Sequence, residues 1–291
     1  MSLLITGRNG QVGSALAALK PDAVALGREQ LNLDQPEIIY DALVALKPSV
    51  ILNAAAYTAV DKAEDEPQAA QRVNAESVAE MARYAAEHDA VLVHYSTDYV
   101  FDGSGEQPWK EDDATGPLGV YGKSKLAGEQ AIAASGCKHL ILRTSWVYDA
   151  TGKNFFNTML RLGKEREELR IVSDQFGAPS YAPHLAAHTL HLLDIAATQE
   201  RFPSGVYHFC HDGVTSWCGF ALAIFEGLRA QGVDLAVRKV DGIATAEYPT
   251  PAKRPLNSRL NMDKLEEVFG IRMPAWQEGL NACLKAKKEA A

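Results

Sequence analysis

Tyr121 and Lys125 stand four residues apart in Val120-Tyr121-Gly122-Lys123-Ser124-Lys125, and on a helix that spacing puts a phenol and an ammonium on one face. A phenol ordinarily titrates near about 10; an adjacent cation lowers that value and makes it a better acid near neutral pH. One segment earlier, Ser96-Thr97-Asp98-Tyr99 brings a hydroxyl to the end of an apolar run. The three side chains together suit carbonyl reduction. Tyr121 can give a proton to the oxygen on which charge grows while Thr97 donates a hydrogen bond to it, and Lys125 can lower the Tyr121 pKa and hold a cofactor ribose. Tyr and Lys at this spacing also occur as a plain amphipathic pair with a snorkelling lysine, so the assignment depends on what precedes them.

What precedes them is Gly7-Arg8-Asn9-Gly10-Gln11-Val12-Gly13, directly after a first apolar run and opening into a helical stretch. Such a turn needs residues free of Cβ strain, close backbone approach to a pyrophosphate, and the unpaired N–H groups of a helix N-terminus. About twenty residues on, where an NAD-selective fold places Asp or Glu on the ribose hydroxyl, the chain reads Leu26-Gly27-Arg28. No carboxylate is expected at that strand end, and Arg28 can pair with a 2′-phosphate. NADPH is therefore the expected cofactor, with NADH compatible with the same turn. Asn32 and Leu33 are expected near the adenine, and the small residues of Ala54-Ala55-Ala56-Tyr57-Thr58 let ribose and pyrophosphate approach the backbone. Asn53 and Asn74 fit either a functional or a purely structural hydrogen-bonding role.

These residues must be positioned by alternating strands and helices. Strands are expected at 3–6, 23–26, 50–53, 91–95 and 140–144, and helices at 12–19, 36–46, 67–88 and 120–134. That is the order of βαβ units: a Rossmann-type, doubly wound parallel sheet in an α/β protein, with a smaller α/β substrate-binding lobe after it. The expected division is a cofactor-binding domain over 1–147, with a returning segment near 182–212, and a lobe over 148–181 and 213–291. The segments 174–179 and 248–255 read as loops, and 285–291 as a charged, frayed helix end.

The 291 residues are 47% hydrophobic with a formal net charge of −8, which suits a globular core and does not recommend a nucleic-acid polymer as partner. Four cysteines without a C-x-x-C pair suggest reduced thiols. No leader pattern opens the chain and no apolar run reaches the ~20 residues of a membrane span. A cytoplasmic protein with no membrane partner is expected.

The glycine spacing resembles the extended short-chain dehydrogenase/reductase superfamily. Within it, the glycine turn, Asn53-Ala54-Ala55-Ala56-Tyr57-Thr58-Ala59-Val60-Asp61-x-Ala63-Glu64, Ser96-Thr97-Asp98-Tyr99-Val100-Phe101-Asp102-Gly103 and the Tyr121–Lys125 run resemble the dTDP-4-dehydrorhamnose reductase family. Arg143-Thr144-Ser145-Trp146-Val147-Tyr148, Asn154-Phe155, the segment 174–179 and Arg254-Pro255-x-Asn257-Ser258-Arg259-Leu260 extend the likeness over nearly the whole chain. The resemblance implies NADPH-dependent reduction of the C4 ketone of a dTDP-linked keto sugar, dTDP-4-dehydro-β-L-rhamnose, with Thr97, Tyr121 and Lys125 catalytic. Trp146 and the pair Asp98 and Tyr99 would contact the sugar, and Arg254 would meet the dTDP phosphates. Trp146 also suits a core aromatic, and Arg254 a surface salt bridge. The family can also bind Mg²⁺ through glutamates at a homodimer interface, one of them two residues after the last glycine of the turn, where this chain has Ala15.

Three alternatives use the same residues. Dehydratases of the superfamily carry Asp-Glu after the catalytic threonine, to remove a C5 proton, and Asp98-Tyr99 lacks that glutamate. An epimerase or reductase of another nucleotide sugar would keep Tyr121 and Lys125. So would a regulatory subunit that binds NADP without consuming it, as in the similar β subunit of eukaryotic methionine adenosyltransferase. His184, His188 and His191 share one helical face, but no further ligands accompany them, so surface or interface histidines are expected rather than zinc.

Overall fold

The computed structural model describes residues 2–289. Six strands form the main sheet: β1 (Leu3–Thr6), β2 (Val24–Leu26), β3 (Val50–Asn53), β4 (Val91–Thr97), β5 (Lys138–Thr144) and β6 (Gly205–His208). All pair in parallel, in the order β6-β5-β4-β3-β1-β2. The principal helices are α1 (Gln11–Leu19), α2 (Pro36–Leu46), α3 (Ser77–Glu87), α4 (Val120–Ser135), α5 (Phe155–Glu165), α6 (Ala182–Thr198), α7 (Trp217–Ala230), α8 (Asp263–Phe269) and α9 (Trp276–Glu289). The sheet is thus the expected doubly wound α/β arrangement. Its winding reverses between β1 and β3, and a crevice opens beyond the carboxyl ends of strands at such a reversal.

The central strands carry apolar runs because both faces are covered there, and β4 and β5 turn polar toward their carboxyl ends. Ile5, Leu52, Val93 and Leu142 face one core with Leu185 of α6 and Phe209. Leu4, Ile51, Leu92 and Ile141 face the other, with Ile39 of α2, Met81 of α3 and Ile132 of α4. Alternation along each strand assigns the residues, and each fully buried Leu or Ile contributes about 1.5–3 kcal/mol. A third core, around Phe156, Ile171, Phe220, Phe225 and Leu284, belongs to the later part of the chain, where Glu168–Val172 pairs in parallel with Lys239–Ile243.

Several boundaries differ from expectation. The single helix expected over 67–88 is Pro67–Gln71, then a π-helical turn at Arg72–Glu76, then α3. The widened turn carries Asn74, whose amide bonds both N–H and C=O of Tyr57, at 2.8 and 3.1 Å. Leu265, Phe269, Ile271 and Met273, expected in the lobe, pack into the first core under the main sheet. Within 174–179 the structure forms a short strand, Phe176–Gly177. Helix α9 runs to Glu289, and Lys287 Nζ donates to Ala150 O and Asn157 Oδ1, both at 2.9 Å. These bonds tie down the turn expected to fray; the last two residues of 285–291 lie outside the described residues.

Candidate active site

The glycine turn is built by close approach. Gly7 has φ +75°, and a Cβ there would lie 2.7 Å from Ala55 N; one at Gly13 would lie 2.1 Å from Gly7 O. No side chain caps α1 at Gly10, which leaves the first-turn N–H groups of Gln11 and Val12, at the cleft wall, free of a cap for an anion. Around this turn lies a cleft of about 680 Å³ lined by Gly7, Gly10, Gln11, Val12, Arg28, Asn32, Leu33, Ala54, Ala55, Ala56, Tyr57, Thr58, Tyr121 and Lys125. Gly13 lies beneath it. Room for a dinucleotide and the Cβ-free cradle fit the expected cofactor.

Two details of the cofactor end were not foreseen. Asp34 folds back so that its Oδ2 lies 3.9 Å from Arg28 Nη2, while Arg72 Nε donates to Asp34 Oδ1 at 2.8 Å. A carboxylate does stand near Arg28, contrary to expectation, but Arg72 engages it, and the Arg28 side chain is 79% exposed. Gln11 bridges the two parts of the chain: its Oε1 accepts from Asn154 Nδ2 at 2.8 Å and its Nε2 donates to Val147 O at 3.2 Å.

Helix α4 delivers Tyr121 and Lys125. Its N-terminus is satisfied by Glu64, whose Oε1 accepts the Val120 N–H at 2.9 Å, placing a carboxylate at the positive end of the helix dipole. Tyr121 packs edge-on against Tyr99, ring centroids 5.5 Å apart. Burial pushes the Tyr121 phenol above its ordinary value, with the Thr97 hydroxyl beside it pulling the other way. This corrects the expectation that Lys125 lowers it. Lys125 is 1% exposed and its Nζ is turned away, donating to Tyr95 O at 2.6 Å and lying 3.0 Å from His94 Nε2. Burial lowers the Lys125 pKa to about 8, opposed by Glu129.

Thr97 ends β4, its hydroxyl accepting from Tyr99 N–H at 3.2 Å and donating to Asp98 Oδ1 at 3.1 Å. Asp98 is buried, its Oδ2 has no hydrogen-bond partner, and burial raises its pKa to about 6 against the pull of the Ser258 and Thr97 hydroxyls. Arg254 is already engaged: Nη2 pairs with Asp61 at 2.7 Å and Nη1 donates to Tyr99 Oη at 3.1 Å. Trp146 is not in the hydrophobic core. It adopts a left-handed φ of 48° and stacks on Trp217 at 3.7 Å, and a non-glycine residue held there marks stored strain of the kind found at functional sites.

Beneath these residues lies a buried polar layer. Arg143 of β5 donates to Glu129 of α4 through Nε at 3.0 Å and Nη2 at 2.6 Å, and Ser96 Oγ donates to the same carboxylate. Neither Glu129 nor His94 had been singled out. The available signal was a glutamate four residues after Lys125, on the same helical face, and a histidine inside an apolar strand.

Of the three histidines on one face of α6, two are hydrogen-bonded: His184 Nδ1 lies 3.0 Å from His211 Nε2, and His188 Nδ1 donates to His184 O at 2.8 Å. Among the described residues no three His, Cys, Asp or Glu side chains converge as metal ligands, and Ala15 packs against the first core. The described residues of one chain thus offer no three-ligand set for the Mg²⁺ that the resemblance implies. All four cysteines are buried and unpaired. Among the described residues no helix is long and apolar enough to cross a membrane.

A parallel sheet with a glycine cradle at its switch point, and a helix that brings Tyr121 and Lys125 to the same cleft with the Thr97 hydroxyl beside the phenol, defines a Rossmann-fold protein of the short-chain dehydrogenase/reductase type. The model of the RmlD substrate binding domain family matches residues 1–289, and the chain belongs to that family. It is 47% identical to the dTDP-4-dehydrorhamnose reductase of Escherichia coli (strain K12), over 98% of this chain and 97% of that one. The crystal structure of a Clostridium acetobutylicum dTDP-4-dehydrorhamnose reductase superposes with a TM-score of 0.90 at 36% identity, covering 99% of this chain and 100% of that one. The Bacillus anthracis reductase, solved in complex with NADP, gives 0.89 at 34% identity, covering 98% and 100%.

Proposed function

We propose that this chain is an NADPH-dependent reductase that converts dTDP-4-dehydro-β-L-rhamnose to dTDP-L-rhamnose. The observation that carries it is that Tyr121 lines the glycine-walled cleft with the Thr97 hydroxyl beside its phenol, in a chain nearly half identical to curated reductases across its length. When bound, NADPH supplies a hydride to the ketone carbon. Tyr121 donates its proton to the C4 oxygen, and the burial that raises its pKa keeps that proton in place at neutral pH. The Thr97 hydroxyl turns to the same oxygen as charge develops.

We assign the α1 N-terminus to the pyrophosphate, Arg28 to the 2′-phosphate, Asn32 and Leu33 to the adenine side, and 54–58 to the central riboses. Lys125, one turn from Tyr121, serves the nicotinamide ribose. Asp98, Tyr99 and Trp146 are assigned to the sugar and Arg254 to the diphosphate, through Nε–H and the N–H bonds that Asp61 and Tyr99 leave free. In this scheme 1–147 and 182–212 hold the cofactor, while 148–181 and 213–291 hold the sugar, apart from the stretch packed under the sheet.

The test is NADPH oxidation on adding the keto sugar generated in situ, with the generating enzymes alone as control. Turnover dependent on this protein is expected. Tyr121→Phe should keep NADPH binding and lose most turnover, because only the donated proton is removed. Tight NADPH binding by the parent with no oxidation would overturn the reductase reading and favour a regulatory one.

A further inference from the structure

Behind Lys125 runs a chain of buried hydrogen bonds whose direction can be fixed. Asn53 Oδ1 receives the Thr6 hydroxyl at 2.7 Å and the Ala55 backbone N–H at 3.2 Å. A backbone N–H only donates, so this atom is the amide oxygen and the other end of the side chain is the NH₂ group. That NH₂ lies 2.9 Å from His94 Nδ1 and must donate to it. His94 Nδ1 therefore carries a lone pair, and the ring proton of the imidazole sits on Nε2.

Nε2 faces Lys125 Nζ at 3.0 Å. An ammonium has three N–H donors and no lone pair, so a charged Lys125 would set two donors against each other in a site where both residues are at most 1% exposed. A neutral amine resolves the conflict. It accepts from His94 Nε2–H and still donates to Tyr95 O at 2.6 Å.

We propose that His94 is a positioning residue for Lys125: with its tautomer locked by Asn53, it donates to the Lys125 amine and holds that residue uncharged until cofactor enters. Protonating Lys125 would require His94 to turn or Asn53 to flip, and the Ala55 N–H opposes the flip. Burial favours the neutral form of each group. The other groups facing the pair do not supply a bare counter-charge. Glu129, one turn along α4, is neutralised by Arg143 of β5. Tyr121, one turn back, stays protonated, and Asp98 beyond β4 is itself raised by burial. Lys125 becomes a cation only as an anionic dinucleotide arrives and a proton is taken from solvent. This inference rests on the reductase reading for its significance, but its test needs neither cofactor nor turnover.

The test is an NMR titration of lysine Nζ and histidine ring nitrogens in the protein without cofactor, with Lys125→Met and His94→Gln identifying the two signals. Lys125 is expected to titrate at least about two pH units below the exposed lysines, whose ordinary value is about 10.4, and His94 to show the Nε2–H tautomer. In His94→Gln, a carbonyl can turn toward Nζ and accept from an ammonium, so the Lys125 titration should rise by roughly one pH unit or more. His94→Asn, which keeps an acceptor for Asn53 and removes the Nε2–H, should raise it too. Lys125 titrating with the exposed lysines in the parent, or an Nδ1–H tautomer of His94, would overturn the proposal. So would an unmoved Lys125 in either folded His94 variant. The two parent signals decide the matter if neither variant folds.

Discussion

Replacing Arg143 by methionine tests the buried layer that supports both β4 and α4. The pair's side chains are 5% and 4% exposed, and Arg143 supplies three N–H contacts to Glu129, at 3.0, 3.2 and 2.6 Å. Methionine keeps most of the volume over the Phe101 ring but leaves a buried carboxylate with the Ser96 hydroxyl as its remaining donor. Removing one partner of such a pair costs about 3–5 kcal/mol, a large share of the 5–15 kcal/mol or so by which domains are stable. Glu129→Leu, which strands the guanidinium, should cost a similar amount. The double variant buries no unpaired charge, and should lie within about 2 kcal/mol of the parent once the lost Ser96 hydrogen bond is counted. The assay is urea unfolding followed by tryptophan fluorescence, comparing midpoints and slopes for the four proteins of the cycle. If the single variants each lose less than about 1 kcal/mol, or their losses add within about 0.5 kcal/mol in the double, the pair is not the coupled buried unit described.

Two further outcomes follow from the site. Arg28→Ala should weaken NADPH binding by only about fivefold, since an ion pair at so exposed a side chain contributes roughly 1 kcal/mol, and should leave NADH binding unchanged; fluorescence titration with each dinucleotide decides this, and equal losses for both would remove Arg28 from the 2′-phosphate. Asp98→Asn should gain thermal stability relative to the parent as pH rises from 4 to 8. The Asp98 carboxyl titrates at about 6 in the fold and near about 3.9 unfolded, so it binds its proton more tightly when folded. Its contribution is complete below about pH 4 and is lost as pH rises through about 6. Melting scans at the two ends of this range check the sign, and no relative gain refutes it.

The sheet was legible because its strands are apolar on both faces and punctuated by glycine and proline; β3 and α2 fall where the pattern puts them. The glycine turn and the Tyr–Lys spacing were legible for a different reason, since backbone approach and helical periodicity leave direct marks on residue type. Orientation was not. Spacing puts Lys125 on the face of Tyr121, but whether its amine turns to the phenol or to His94 depends on β4 and β3, which sequence distance hides. Asp34, bent back onto Arg28, and Arg254, held by Asp61 across nearly two hundred residues, escaped for the same reason. Trp146 was open between sugar contact and core because composition carries no sign of a left-handed backbone.

The threading of the chain bears on how the protein can be made. One edge of the sheet is residues 205–208, α1 is covered by α6, and Phe269 and Met273 share a core with Ile5. A ribosome delivers residues in order, so the first half emerges with an apolar sheet face that only much later residues can cover. Contacts across more than two hundred and fifty residues can close only once nearly all of the chain has been released, and pairings so distant in sequence form more slowly than those of neighbouring strands. A polypeptide cut short in the last tenth of its length would keep every catalytic side chain and lack the surface that lets them assemble.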